Sequence, residues 1–370
     1  MNFIDLALQQ SRIREKVEEN IKKVLDHGRY IMGPEVKELE AQLAEYTGVK
    51  HAIGVASGTD ALLMALMAYD VGPGDAVFTS PFTFIATAEV IQLLGATPVF
   101  VDIDIDTYNI DTAKLEEAVK QTQAEGKLKA KGVMPVDLFG QAADYDEINA
   151  MAKKYGLFVL EDAAQSFGAS YKGRKACSLS EIAGTSFFPA KPLGCYGDGG
   201  MIFCQSDDLL AKLVSIRVHG QGTTKYENVR IGVNGRLDTL QAAVLLAKME
   251  IFPEEVELRQ QVAARYAERL DGVVKVPVVK DHNVSAWAQY CIRHPKRDEV
   301  MAKLKEKGVP TAIYYPVPLH QQKAFSNLCC QTGDYPVSEE AAADIFAIPF
   351  HPYLKEEDQD TICNVIREFK

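Results

Sequence analysis

The 370-residue chain lacks the features that mark several protein classes. It has no excess of basic residues, and its net charge of −11 disfavours nucleic acid or an anionic membrane as the main partner. No apolar run approaches the roughly 20 residues that a membrane-spanning helix needs. The first residues show no basic start followed by an apolar stretch, so they predict no secretory signal.

Cysteine pairs are missing as well. The seven cysteines include no Cys-x-x-Cys motif, and their odd number does not suggest a disulfide framework. We therefore expect free thiols, no metal site and a cytoplasmic location. Internal repeats and low-complexity linkers are also absent, so the sequence shows no sign of a repeat protein.

Short apolar runs alternate with helical patterns along much of the chain. This alternation favours a mostly parallel sheet with helices on both faces. It predicts an α/β fold, with a large domain over 1–250 that begins with a helical arm (about 1–30) and a smaller α+β domain over 251–370. The predicted strands cover 51–56, 76–79, 98–101, 132–136, 157–160, 185–188, 201–204, 288–293 and 310–314.

Small and hydroxyl residues follow the first predicted strand, at Ser57-Gly58-Thr59. In open α/β sheets, ligands bind beyond the carboxyl ends of the strands. The free N–H groups at a helix start, with a glycine that permits close approach, make a site for an anion such as phosphate. On this segment alone, an ordinary helix N-cap is the better explanation of these residues.

Asp162 ends another apolar strand, in the run Leu160-Glu161-Asp162-Ala163-Ala164-Gln165. A carboxylate there is costly to bury unless a cation or hydrogen-bond donors meet it. A protonated pyridine nitrogen is such a cation, and enzymes that use pyridoxal 5'-phosphate (PLP) employ an Asp for this purpose. The alternative at this point is a second helix cap.

Lys191 lies between Pro189 and Pro192 and is followed by several glycines. Most lysines are solvated surface charges, and this remains the alternative. A stiff neighbourhood with little charge, however, favours the neutral amine that Schiff-base chemistry requires. Ser186, five residues earlier, places a hydroxyl where it can hold a phosphate.

Two further positions fit the same site but have simpler explanations. Phe84 can stack on a planar cofactor, although a buried aromatic beside a sheet is more often part of the core. Asn234 and Arg236 offer an amide and a guanidinium for anions just before a long helix. Locally, a plain loop followed by an Asp238 helix cap is the better explanation of these residues.

Taken in order, these motifs resemble the DegT/DnrJ/StrS family of PLP-dependent sugar aminotransferases, which have the aspartate aminotransferase (type I) fold. The resemblance covers nearly the whole chain, from Phe3-Ile4-Asp5-Leu6 to His351-Pro352-Tyr353-Leu354. It implies that Lys191 holds PLP as a Schiff base and moves the proton during transfer. It assigns the remaining cofactor contacts to Asp162 at the pyridine nitrogen, Gln165 at the ring hydroxyl, Phe84 on the ring face, and Gly58, Thr59, Ser186 and Asn234 at the phosphate.

The resemblance also implies a homodimer, because the residue that matches Asn234 reaches into the neighbouring subunit. Within the family, the chain is similar to enzymes that use L-glutamate to aminate C3 of UDP-2-acetamido-2-deoxy-3-oxo-glucuronate for surface polysaccharides such as the lipopolysaccharide O-antigen. PLP then alternates with pyridoxamine 5'-phosphate (PMP). The expected substrate-binding residues are Arg236, Tyr315 and His320. Tyr314 stands where these relatives tend to have His, which is a departure at the sugar site.

Three other functions remain open at this point. The first is amination of a 4-keto-6-deoxy nucleotide sugar. The second is sugar dehydration, although enzymes of that type replace the Schiff-base lysine with His, and Lys191 argues against it. The third is a regulatory protein without activity, which has no need for the set Lys191, Asp162 and Gln165.

Overall fold

Twelve α-helices are present in the computed structural model, which describes all 370 residues. Helix α1 begins at a capping residue, Asp5, which accepts a hydrogen bond from the Leu8 N–H at 2.9 Å, and it ends at Gly28 in a left-handed conformation. The helices are α1 (Leu6–His27), α2 (Pro34–Thr47), α3 (Gly58–Ala68), α4 (Ala86–Leu93), α5 (Thr112–Glu125), α6 (Tyr145–Tyr155), α7 (Asp207–Ile216), α8 (Thr239–Met249), α9 (Phe252–Leu270), α10 (Arg297–Glu306), α11 (Pro336–Asp344) and α12 (Glu356–Arg367).

Twelve strands form three sheets. The strands are β1 (His51–Val55), β2 (Asp75–Thr79), β3 (Thr97–Phe100), β4 (Lys129–Val133), β5 (Phe158–Asp162), β6 (Ser170–Tyr171), β7 (Arg174–Lys175), β8 (Ile182–Ser186), β9 (Gly200–Cys204), β10 (Asn283–Val284), β11 (Tyr290–Arg293) and β12 (Ile345–Ile348). The main sheet has seven strands in the order β1-β9-β8-β5-β4-β2-β3, and only β9 runs against the others. The expected α/β fold with a mostly parallel sheet is confirmed.

Helices cover both faces of the main sheet because its strands alternate in the direction of their side chains. On one face, Ile182 and Ile202 pack with residues of α3 and α7. On the other, the next residues along the same strands, Ala183 and Phe203, pack with α2 and α8. The sheet is therefore buried on both sides, and its strand ends are the accessible part.

A second core lies around the β11–β12 pair, where α9, α10 and α12 contribute apolar side chains. The predicted strand over 310–314 is wrong, since only Ala312 pairs there, in an isolated bridge to Ala347. Pro310 has no N–H to donate to a ladder, which favours so short a pairing. The division into domains at residue 250 remains a prediction.

Candidate active site

Three strands of the main sheet end at one edge and open into a cavity of about 440 Å³. The chain leaves β1 at Ser57, β5 ends at Asp162, and β8 ends at Ser186. The structure brings most of the predicted site residues together in the lining of this cavity. They are Gly58, Thr59, Phe84, Asp162, Gln165, Ser186, Lys191 and Tyr315.

The start of α3 forms one end of the cavity. The Ser57 hydroxyl caps the helix by accepting a hydrogen bond from the Asp60 N–H at 3.0 Å, whereas the N–H groups of Gly58 and Thr59 meet no protein acceptor. Gly58 lies directly against Ser186, and a Cβ atom at Gly58 would come within 2.6 Å of the Ser186 Cβ. Two free amides and a hydroxyl therefore converge on a point that suits a phosphate.

Lys191 projects into the cavity from the loop after β8. Its backbone N–H donates to the Phe188 carbonyl at 2.8 Å, and its amine has no hydrogen-bond partner within the protein. Burial lowers the pKa of the amine to about 8, although the nearby Asp162 carboxylate acts in the opposite direction. A larger neutral fraction near neutral pH suits an amine that must act as a nucleophile and proton carrier.

Asp162 is buried at the base of the cavity. One carboxylate oxygen accepts a hydrogen bond from the Thr87 hydroxyl at 2.8 Å, and the other accepts from the Ala164 N–H at 3.2 Å. Burial raises the pKa of this carboxyl group, while the hydrogen bond from Thr87 opposes the shift. The group is fixed in direction, and a cationic partner in the cavity would stabilise its charged form.

Gln165 connects the cavity to two other segments. Its Oε1 accepts from the Phe139 N–H at 2.8 Å, and its Nε2 donates to the Tyr315 hydroxyl at 3.1 Å. Phe84 is 55% exposed although it is a large apolar residue. A ring exposed at a cavity wall is available to stack on a planar ligand rather than being part of the core.

Three predicted residues lie outside this cavity in the single chain. Asn234 is exposed, and Arg236 is partly buried with an Nε atom that has no hydrogen-bond partner. His320 is buried, and its Nε2 lies 2.9 Å from the Glu339 carboxylate. His320 therefore lies against Glu339 and outside the cavity.

Several residues that line the cavity were not predicted from the sequence to bind a ligand. They are Phe3, Ile4, Thr87, Asp198, Gln289 and Tyr314. Thr87 lies in the first turn of α4, after the loop that carries Phe84, and no motif in the sequence pointed to it. Gln289 directly precedes β11 and lies more than 100 residues from the other lining residues of the main sheet, and no local motif points to it.

The structure has no group of three or more His, Cys, Asp or Glu side chains that could hold a metal ion. None of its helices is long and apolar enough to cross a membrane. Lys191 is the only Lys or Arg in the lining of the cavity. A ligand with several negative charges must therefore find further cations from outside this lining.

Comparison with known proteins shows similarity over the full chain. UDP-2-acetamido-2-deoxy-3-oxo-D-glucuronate aminotransferase from Pseudomonas aeruginosa is 51% identical over 364 residues, with 98% of each chain covered. A protein from Geobacillus stearothermophilus described as a pleiotropic regulatory protein is 44% identical, with 99% of this chain and 98% of the relative covered.

Solved structures agree with this similarity. A DegT DnrJ EryC1 StrS aminotransferase from Brucella abortus superposes with a TM-score of 0.98 at 51% identity, covering 100% of this chain and 99% of the other. NtdA from Bacillus subtilis, solved with bound cofactor PMP, has a TM-score of 0.89 at 28% identity, covering 99% of this chain and 83% of that chain. Residues 11–367 match the sequence model of the DegT/DnrJ/EryC1/StrS aminotransferase family, and the chain therefore belongs to this family.

Proposed function

We propose that the protein transfers the amino group of L-glutamate to the C3 ketone of UDP-2-acetamido-2-deoxy-3-oxo-glucuronate, using PLP. The observation that carries this proposal is the placement of a largely buried Lys191 amine and a buried Asp162 carboxylate in one cavity. The expected family and enzyme class are confirmed by the family match. The name of the P. aeruginosa relative supports the choice of sugar.

The expected cofactor is confirmed for the family, and the residues present here fit it. The unpaired amides of Gly58 and Thr59, with the Ser186 hydroxyl, would hold the phosphate. The Asp162 carboxylate would pair with the protonated pyridine nitrogen, and Phe84 would stack on one face of the ring. When bound, PLP supplies a carbonyl carbon that carries the amino group and a ring that withdraws electrons.

The chain's own residues then act on protons and orientation. Lys191, as a neutral amine, would take the proton from Cα of glutamate, and its protonated form would later give a proton to C3 of the sugar as the new amine forms. Thr87 and the Ala164 N–H keep the Asp162 carboxylate pointing into the cavity. Gln165 is held by Phe139 and presents its amide beside Tyr315. Proton transfer is thus assigned to one side chain, and the others fix geometry.

Charge supports a dimer with shared sites as part of the proposal. The substrate carries a diphosphate and a carboxylate, while Lys191 is the only cation in the cavity lining of one chain. Arg236 and Asn234 lie outside that lining, and Arg236 retains a buried Nε without a partner. Exposed apolar residues nearby in the sequence, Tyr226 and Ile231, offer a surface for a second chain. A second copy would bring Asn234 and Arg236 to the site.

A cytoplasmic location is also proposed, since all seven cysteines are free.

The substrate assignment is tested by converting the enzyme to its PMP form with glutamate and then adding candidate sugars separately. We expect the PLP absorbance to return rapidly with the 3-oxo-glucuronate and slowly with a 4-keto-6-deoxy nucleotide sugar. If the absorbance returned faster with the 4-keto sugar, the substrate assignment would be wrong, whereas the assignment of the enzyme as an aminotransferase would stand.

A further inference from the structure

Lys191 is carried by a loop that is closed at its base, which we call the lysine loop (187–199). The Phe187 N–H donates to the Gly199 carbonyl at 2.8 Å, and the Phe187 carbonyl accepts from the Cys195 N–H at 2.8 Å. These bonds set the shape of the loop from within. Its placement relative to the cavity depends on what holds it from outside.

One side chain of α8 holds the lysine loop. The Gln241 Oε1 accepts from the Tyr196 N–H at 2.9 Å, and the Gln241 Nε2 donates to the Tyr196 carbonyl at 3.3 Å. No other protein group bonds either of these main-chain atoms. The amide thus supplies both partners that a neighbouring strand would otherwise provide, and it fixes Tyr196 to the helix.

The packing around this amide leaves it little freedom. A Cβ atom on Gly197 would lie 2.9 Å from the Gln241 Nε2, so the amide keeps its position because residue 197 is a glycine. Lys248, about two turns further along α8, is buried, and its Nζ lies 4.8 Å from the centre of the Tyr196 ring. The main chain and the ring of Tyr196 are therefore both held against α8.

The placement of the lysine loop matters because the Lys191 amine has no hydrogen bond within the protein that would orient it. A displacement of about 1 Å in an active site can lower a rate by about 100-fold. We infer that Gln241 is a positioning residue, whose amide holds the lysine loop so that the Lys191 amine lies within reach of the carbon that gives up its proton. This inference rests on the proposed function, since it concerns the role that we give Lys191. Gln241 lies outside the cavity lining, so it acts through the loop.

The test replaces Gln241 with Met, which keeps the length of the side chain and its helix propensity but removes the amide. We expect the single-turnover rate at which glutamate converts the PLP form to fall roughly tenfold, because the amine is less well placed. The KM for glutamate and the Kd for PLP should change little, since Gln241 does not line the cavity. In the apoprotein, hydrogen exchange of the Tyr196 N–H should become faster, which measures the loss of the contact without the cofactor.

Gly197→Ala tests the same contact without changing Gln241. The added methyl group should push the flexible amide away from the Tyr196 carbonyl, so this variant should lose rate in the same direction. In the double variant the two losses should not add, because both substitutions remove one contact. If Gln241→Met does not fold, Gly197→Ala alone decides.

Gln121→Met is the matched control, because Gln121 is an exposed residue of α5 that bonds only Glu125. It should keep the wild-type rate. Unchanged rates in the two single variants, additive losses in the double variant, or a rate loss explained by weaker PLP binding would overturn the inference. If Lys191→Ala kept turnover, the proposed role of Lys191 would fail as well, whereas normal rates in the Gln241 and Gly197 variants beside an inactive Lys191→Ala would overturn this inference alone.

Discussion

The Thr87 hydroxyl donates a hydrogen bond of 2.8 Å to the carboxylate of Asp162, and both residues are buried. The bond crosses from α4 to the end of β5, so it joins a covering helix to the edge of the sheet. A carboxylate with one oxygen held in this way cannot rotate freely. The pair therefore presents a fixed negative group to the cavity, as the assignment of Asp162 to the pyridine nitrogen requires.

Replacing Asp162 with Asn should lower the turnover rate by about 100-fold or more, because a preorganised charge is lost while the shape is kept. Thr87→Val should cause a smaller loss, since the charge remains and only one hydrogen bond to it is removed. Steady-state kinetics at saturating PLP checks both. Near-normal turnover of the Asn variant would refute the electronic role of Asp162.

Lys191→Ala should lower the turnover rate by at least about 100-fold, because no other group is placed to carry the proton. The variant should still bind PLP through Gly58, Thr59 and Ser186. Borohydride reduction of the wild-type enzyme followed by peptide mapping should find the pyridoxyl group on Lys191. A label on a different lysine would contradict the assignment.

The lowered pKa of Lys191 predicts how the apoprotein captures PLP. Because the neutral amine is the reactive form, its fraction grows as pH rises through the pKa, which burial lowers to about 8. The rate of covalent capture should therefore increase with pH and level off shortly above pH 8. Stopped-flow absorbance measures this profile. A rate that still climbs near the ordinary lysine pKa of about 10.4 would show that the amine is not perturbed.

Mixed dimers test whether two chains share each site. Lys191→Ala chains and Asn234→Ala chains should each be impaired alone, and mixing them should restore part of the activity, because one site of a hybrid then has both residues. Size-exclusion chromatography checks that each variant forms the proposed dimer. Hybrids that stay inactive although they form would show that Asn234 belongs to its own chain's site.

Local patterns in the sequence were sufficient for the residues at strand ends. Asp162 and Ser186 end buried apolar strands, and Lys191 follows between two prolines, so chemistry and position coincide within a few residues. The alternating strands and helices also predicted the parallel sheet. In these places the signal is local, and the structure puts the side chains in the cavity as expected.

Long-range contacts could not be predicted in the same way. Gln289 reaches the cavity only because Gly140 allows the chain before β11 to approach the Phe139 loop. His320 was chosen for its chemical type, but Glu339, 19 residues later, pairs with it outside the cavity. Such pairings depend on packing between distant segments, which periodicity and motif spacing do not encode.

Transfer of isotopically labelled nitrogen tests the central claim most directly. The enzyme is incubated with PLP, nitrogen-labelled L-glutamate and UDP-2-acetamido-2-deoxy-3-oxo-glucuronate, and the sugar product is analysed by mass spectrometry and NMR. Our account predicts one labelled nitrogen bonded to C3 of the UDP-sugar, with an equal amount of 2-oxoglutarate formed and no product from Lys191→Ala. Label that remains in glutamate, or that enters the sugar at another carbon, would contradict it.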